Sequence, residues 1–416
     1  MSVELTDLIP IAPANDDLRL TLASALGLSD NVAAKPHLQY IESSWPGRGE
    51  LHDFLRLFID VVDHFRGPKP PIQQYIDRLV SSHEHSYFSD TIPGSSLRTT
   101  RVTEAVLIIL GTWMLMQPYF ILTRHDQRRV VFAYCAKQGR EYSEAEAFAQ
   151  PLPKLLSQSG LLPNAYELNE SGLNSVQNSS VAEIITEPFG LHDSMGLLES
   201  LSLSPKRLNA VLLSRLGGVR VTWTTNISRH LLLSKHGERT YLELFALPCA
   251  LQGDAGSVLS AMGISMDLID EIECSYATLF NPSRPSNFHK RLTKLKGFCH
   301  WCWCLHCASY RLRRQLLGTL KLSHLNYDPT LETLMERDAA EWDQTEFKQL
   351  WPRISTLYSH MQQTKPWSFW VLFRDSRDTV QYWTFLFGTV ILLLTVIQVI
   401  LSAAQVASAF VPQPGG

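Results

Sequence analysis

Residues 298–310 read FCHWCWCLHCASY and gather Cys299, Cys302, Cys304 and Cys307 with His300 and His306. Thiolates and imidazoles are the soft and borderline donors that zinc prefers, so these residue types suit a metal site. The spacing is unusual for one. Two C-x-x-C pairs separated by a single residue leave no room for the distant turns that converge on an ion in zinc ribbons. In a helix, Cys299, Cys302 and His306 would share a face while Cys304 and Cys307 pointed away. A site built from Cys299, Cys302, Cys304 and Cys307 therefore requires this segment to be a loop. The other uses of such thiols are burial in a packed helix, S-acylation beside a membrane, and redox chemistry.

The flanking pattern favours a helix. Leu292, Leu295, Phe298, Cys302, Leu305, Ser309, Leu312, Leu316 and Leu320 advance by threes and fours. From Cys274 to Tyr327 there is no acidic residue, while Arg284, Lys290, Arg291, Lys294, Lys296, Arg311, Arg313, Arg314 and Lys321 are basic. A cationic amphipathic helix can rest on anionic lipid, each basic residue near the surface adding about 1 kcal/mol. One such run, in a 416-residue chain of net charge −3, argues against nucleic acid as the partner.

No common catalytic signature accompanies the cluster. The chain holds no G-x-x-x-x-G-K-[ST], G-x-G-x-x-G, G-x-S-x-G or H-E-x-x-H, and His83-Glu84-His85 is too tightly spaced to put two ligands on one helical turn. No cofactor is called for by any motif, zinc at the cysteine cluster being the alternative the residues offer. The expected class is a non-enzymatic interaction or scaffold protein. The competing classes are a pore or transporter component and a metal- or thiol-dependent enzyme using residues 299–307.

The element that decides location is C-terminal. After Asp378 no charged residue follows to Gly416, and residues 382–410 read YWTFLFGTVILLLTVIQVILSAAQVASAF. A helix crosses the hydrocarbon core with about 20 apolar residues, and this run exceeds that. Trp383 lies where an interfacial aromatic belongs, Leu393, Ile397 and Leu401 form the apolar body, and Arg374 and Arg377 flank the N-terminal side. The arrangement predicts a tail anchor in an intracellular membrane, with the bulk cytosolic and the lipid bilayer as first partner. Gly388, Thr395, Gln398, Ser402 and Gln405 fall on one helical face, which suits close helix approach and a homo-oligomer seam.

The remaining chain divides by pattern. Residues 1–34 carry Asp and Glu without a basic and apolar leader, and are expected to be a flexible segment. Residues 35–156 read as helical. Within them, residues 51–65 give a broad apolar face that ends at Gly67-Pro68-Lys69-Pro70-Pro71. The uncharged run 105–122 is just long enough to span, but reads as a buried helix; if it crossed, the chain would suit a pore. Residues 157–200 are rich in Ser, Asn, Gly and Pro and read as a loop-rich boundary. In 201–378, Val219-Arg-Val-Thr-Trp-Thr224 suits a strand, and residues 230–245 suit a hairpin turning at Gly237. Helical spacing returns at 268–279 and at 347–361, where Pro352 marks a fresh start. Seven of the ten tryptophans follow residue 300, and their burial in the core or rest on headgroups is left open.

The segments SRLGGVRVTWTTNISRHLLLSKHGERTYLELFALPCAL (214–251), IECSYATLFNP (272–282), LWPRI (350–354) and PWSFWVLFRDSRDTVQYWTF (366–385) resemble a large family of filamentous-fungal proteins that end in a single hydrophobic span. That resemblance implies a fungal origin and a membrane-attached helical protein, and it supplies no catalytic residues. The expected fold is mainly α with a small antiparallel β-hairpin element, plus one C-terminal transmembrane helix over 379–410 and a short tail, 411–416.

Overall fold

Eight apolar residues of the segment 51–65 end in the interior, as their spacing predicts, and the other helices of the N-terminal region pack around them. The computed structural model describes residues 16–28, 31–66, 70–82, 85–123, 126–163, 202–282, 302, 304–322, 327–364 and 379–409. The first helices are α1 (Asp16–Ala25), α2 (Asn31–Ser43), α3 (Leu51–Arg66), α4 (Ile72–Ser81), α5 (Ser96–Trp113) and α6 (Gln117–Phe120). They are followed by α7 (Arg129–Lys137), α8 (Glu144–Phe148) and α9 (Leu152–Ser159). In the segment 1–34, expected to be flexible, residues 16–25 and 31–34 are helical, and Leu18, Leu22, Ala23 and Ala25 of α1 enter the core.

The uncharged run 105–122 is not one rod. Helix α5 stops at Trp113, Leu115 takes a left-handed φ of 55°, and Met116 N–H returns to the Gly111 carbonyl at 2.8 Å. A Cβ on Gly111 would lie 2.9 Å from both Gln117 Cα and Phe120 Cβ, so glycine lets α6 fold back against α5. Val106, Leu110 and Trp113 are fully buried or nearly so. The α5 part of the run lacks charge because most of it is buried in the core, while Ile121 and Leu122 at its end are exposed.

The β element is larger than the hairpin expected. After α10 (Ala210–Arg215) come β1 (Val219–Thr224), β2 (Leu232–His236) and β3 (Arg239–Phe245), in spatial order β1-β3-β2. Strands β2 and β3 form the predicted hairpin, with His236 opposite Arg239 and Gly237 (φ 63°) at the first turn position. Strand β1 joins β3 in parallel, Val219 opposite Thr240 and Thr224 opposite Phe245, so the sheet is mixed. The parallel pairing depends on a return connection that local alternation does not reveal.

Beyond the sheet lie α11 (Asp254–Ala261), α12 (Met266–Phe280), α13 (Leu305–Leu322), α14 (Thr330–Glu336), α15 (Trp351–Gln363) and α16 (Thr379–Ala409). Helix α15 starts with Pro352 in its first turn, as the sequence predicts. Trp342 and Trp351 are buried, and Trp342 donates its indole N–H to the Leu208 carbonyl at 2.9 Å. One hydrophobic core runs from Leu18 to Met361 and joins the 35–156 and 201–378 regions. Their junction is hydrogen-bonded: Ile227 N–H donates to the Leu115 carbonyl at 2.9 Å, and Ser228 Oγ donates to Tyr119 Oη at 3.1 Å.

Two buried charged groups, Arg98 and Glu271, and the part-buried Arg353 close gaps that this packing opens. Arg98 reaches the carbonyls of Leu79, Ser82, Phe88 and Thr91, covering the C-terminal end of α4. Arg353 donates to the carbonyls of His230 and Ser228 at the sheet's edge. Glu271 of α12 accepts from Gln349 N–H at 2.9 Å and Leu350 N–H at 2.7 Å, capping the start of α15, where Leu350 offers no cap of its own. Burial pushes the Glu271 carboxyl above its usual range, against the pull of those N–H groups.

Two predictions follow from this packing. Glu271→Ala strands both N–H groups and should cost about 3 kcal/mol in chemical denaturation, whereas Glu271→Gln, which retains an acceptor oxygen, should cost roughly 1 kcal/mol. Burial lowers His37 to about 4 and His230 to about 3, the latter helped by Arg353. Their folded values lie below the unfolded value, so their contribution to stability is complete above roughly pH 6.5 and is lost as pH falls toward those values. Unfolding between pH 6 and 4.5 should take up about two protons, a slope of roughly 2.7 kcal/mol per pH unit, and replacing either histidine with a neutral residue should remove half of it.

Candidate functional site

Of the helix expected over 292–320, the described part is helical from Leu305, and Cys302 stands outside it. Helix α13 starts at Leu305, leaving Cys302 and Cys304 ahead of its first turn and Cys307 within it. The three Sγ atoms lie within 4.8 Å of one another. The expectation that Cys304 and Cys307 point away from Cys302 is thus corrected, because the chain has not yet adopted helical periodicity at Cys302. Cys299 and His300 lie outside the described residues, as does most of the helical expectation upstream of Cys302.

Backbone donors hold the arrangement. Cys307 N–H donates to Cys304 Sγ at 3.4 Å, so Cys304 caps the first turn of α13 with sulfur instead of oxygen. Arg311 Nη1 donates to the Cys302 carbonyl at 2.8 Å, tying the pre-helical segment down. The helix itself is fixed by Trp223 Nε1–H to the Leu316 carbonyl at 3.3 Å and by Arg313 to the Met335 carbonyl at 3.0 Å. The N–H of Cys304 holds the Cys302 thiol below its ordinary value, aided by the neighbouring thiols and the Arg311 charge. Such a set can ligate a soft metal or supply a reactive thiolate.

The C-terminal predictions fall on α16. Trp383 is 51% exposed, Leu393 56%, Ile397 51% and Leu401 59%, so the anchor residues face outward from the head. Along the seam, Thr395 Oγ1 donates to the Ile391 carbonyl and Ser402 Oγ to the Gln398 carbonyl, both at 2.8 Å, which satisfies these hydroxyls within their own helix. Gly388 has no atom within 4 Å of where a Cβ would sit. Gln398 and Gln405 share that helix.

Other polar groups came together that the sequence left separate. His230 Nδ1 accepts the Phe245 N–H at 3.2 Å, so the ring proton is on Nε2 and points to Ser275 Oγ at 2.7 Å. Ser275 Oγ in turn donates to the Ile272 carbonyl at 2.7 Å. A histidine that donates to serine cannot take its proton, and both residues are fully buried, so this pair is structural. A surface cleft of about 570 Å³ carries Arg48, Asp53, Ser86, Asp90, Arg101 and Glu104. Arg48 pairs with Glu104 at 3.5 Å, Arg101 with Asp90, and Ser86 with Asp53, so its polar groups answer one another. Asp60, bonded by His85, Tyr75 and Arg78, is held down to about 2 by the His85 hydrogen bond first of all. No signal in the sequence marks these groups, since each pair is separated by a loop or by a large part of the chain.

No family model, curated protein or solved structure matches the chain. The site is therefore interpreted from its own chemistry. In reduced, chelator-treated protein, a slow alkylating agent near pH 7 should label Cys302 before Cys274, whose thiol burial pushes up. The buried Cys135 and Cys249 should stay unlabelled until the chain unfolds, an order read directly by peptide mass mapping.

Proposed function

We propose that the protein is a single-pass membrane protein whose helical head faces the cytosol and acts by binding partners, not by catalysis. The observation that carries this reading is the segment Leu386–Val406: 21 residues of mean hydropathy 2.4 in one helix, with none of that stretch buried among the described residues. A soluble core helix of the same composition would be covered by its neighbours, as α5 is. Arg374 and Arg377 on the head side, with no charge after Asp378, support retention of the head in the cytosol.

The non-catalytic part rests on the polar inventory of the head. Among the described residues, the buried His230, Arg98 and Glu271 and the part-buried Arg353 each answer backbone groups that packing would otherwise strand. The face carrying Gly388, Thr395 and Ser402 is the surface through which spans of two copies would approach. The break of 105–122 into α5 and α6, with most of α5 buried, supports the anchor reading over the pore.

Alkaline carbonate washing of cell membranes, followed by protease addition to sealed vesicles, tests the proposal. The full chain should stay in the washed pellet, and protease should remove the head, leaving only a short fragment around α16. Release into the wash, or protection of the head from protease, would refute the topology.

A further inference from the structure

We propose that Cys302, Cys304 and Cys307 form a zinc site at the start of α13, independent of how the protein meets the membrane. Three sulfurs around a tetrahedral zinc, at about 2.3 Å each, stand roughly 3.8 Å apart. The three Sγ atoms already lie within 4.8 Å of one another, so rotations of the cysteine side chains by a fraction of an ångström to about 1 Å would close the cage. No carboxylate belongs to the group, which excludes the oxygen-rich cages of calcium and magnesium. Among the described residues the group offers three thiolates, enough for zinc with water in the fourth position and one fewer than an iron–sulfur cluster takes.

The surroundings do what an outer shell of a thiolate site does. The N–H of Cys307 already points at Cys304 Sγ at 3.4 Å, which gives the thiolate charge a fixed donor and orients its lone pairs. Arg311, anchored on the Cys302 carbonyl at 2.8 Å, places a cation beside a complex that would carry one net negative charge. Cys307 is buried while Cys304 is exposed, so the ion has both a packed floor and a route of entry. On binding, the thiols release three protons to solvent, each sulfur donates a lone pair to Zn²⁺, and no electron changes hands. Water or a further donor fills the fourth position. The result is a clamp that ties the pre-helical chain to the first turn of a basic helix.

The test uses the full chain purified in detergent under a phosphine reductant, loaded with zinc alone and then dialysed. Elemental analysis should find about one zinc per chain, and zinc should remove about three thiols from reaction with a thiol reagent. Cys304→Ser and Cys307→Ser should each lower zinc content about tenfold, with Cys135→Ser and Cys274→Ser unchanged and circular dichroism reporting that each variant is folded. Cobalt in place of zinc should give a sulfur-to-cobalt charge-transfer band that a chelator abolishes. Less than about a tenth of a zinc per wild-type chain, or equal zinc in a Cys302→Ser/Cys304→Ser/Cys307→Ser variant, overturns the proposal. Because the wild-type measurement stands alone, misfolding of a variant does not rescue it.

Discussion

Apolar surface must leave water, and this chain sends it to two separate destinations. Residues from Leu18 to Met361 bury theirs against one another in a single core. Residues Leu386–Val406 carry an apolar surface that no described residue of the head covers. The two sets are physically distinct because α5 stops at Trp113 and the chain turns back through Leu115, with α6 packed against Gly111, whereas α16 runs unbroken over 31 residues. A break in the backbone is tolerated in a protein core, where other groups can satisfy the freed amides. In lipid it is costly, and an uninterrupted helix is the stable form.

The same core sets the limits on chemistry. Packing helices around a small mixed sheet leaves helix ends and strand edges inside, and their carbonyl and N–H groups need partners. The chain supplies them with charge: Arg98 for the end of α4, Glu271 for the start of α15, Arg353 for the segment that leads into β2. A group committed to two or more backbone bonds in the interior gains rigidity and loses freedom to act on a ligand. Two leucines at positive φ, Leu115 and Leu231, lie near the junction of the two halves and add backbone strain of about 1–2 kcal/mol each, which the surrounding contacts hold in place. The thiols before α13 are different, since two of them are reached from solvent and their bonds are to one another's backbone.

What the sequence revealed and what it hid divide along locality. Helix α3, the end of α12 at Asn281, the start of α15 at Pro352, strand β1 and the turn at Gly237 were legible because each is written in consecutive residues. The parallel partner of β1 was not, because Val219 and Thr240 are brought together by a connection whose path is set by packing. Helix α1 is hard to read because its short apolar face, Leu18 and Leu22, follows the acidic Asp16 and Asp17 of its first turn. The thiol cluster was half legible. Residue types name the donors, but a helical period carried back through Cys302 hides that its Sγ lies beside those of Cys304 and Cys307.

The division of apolar surface is tested most directly by removing residues 379–416 and following the thermal unfolding of what remains. If the core is complete without α16, the truncated head should stay in solution without detergent and unfold cooperatively within about 2 °C of the full chain. A truncated head that aggregates, or that has lost its cooperative transition, would mean that α16 belongs to the fold and would contradict the account.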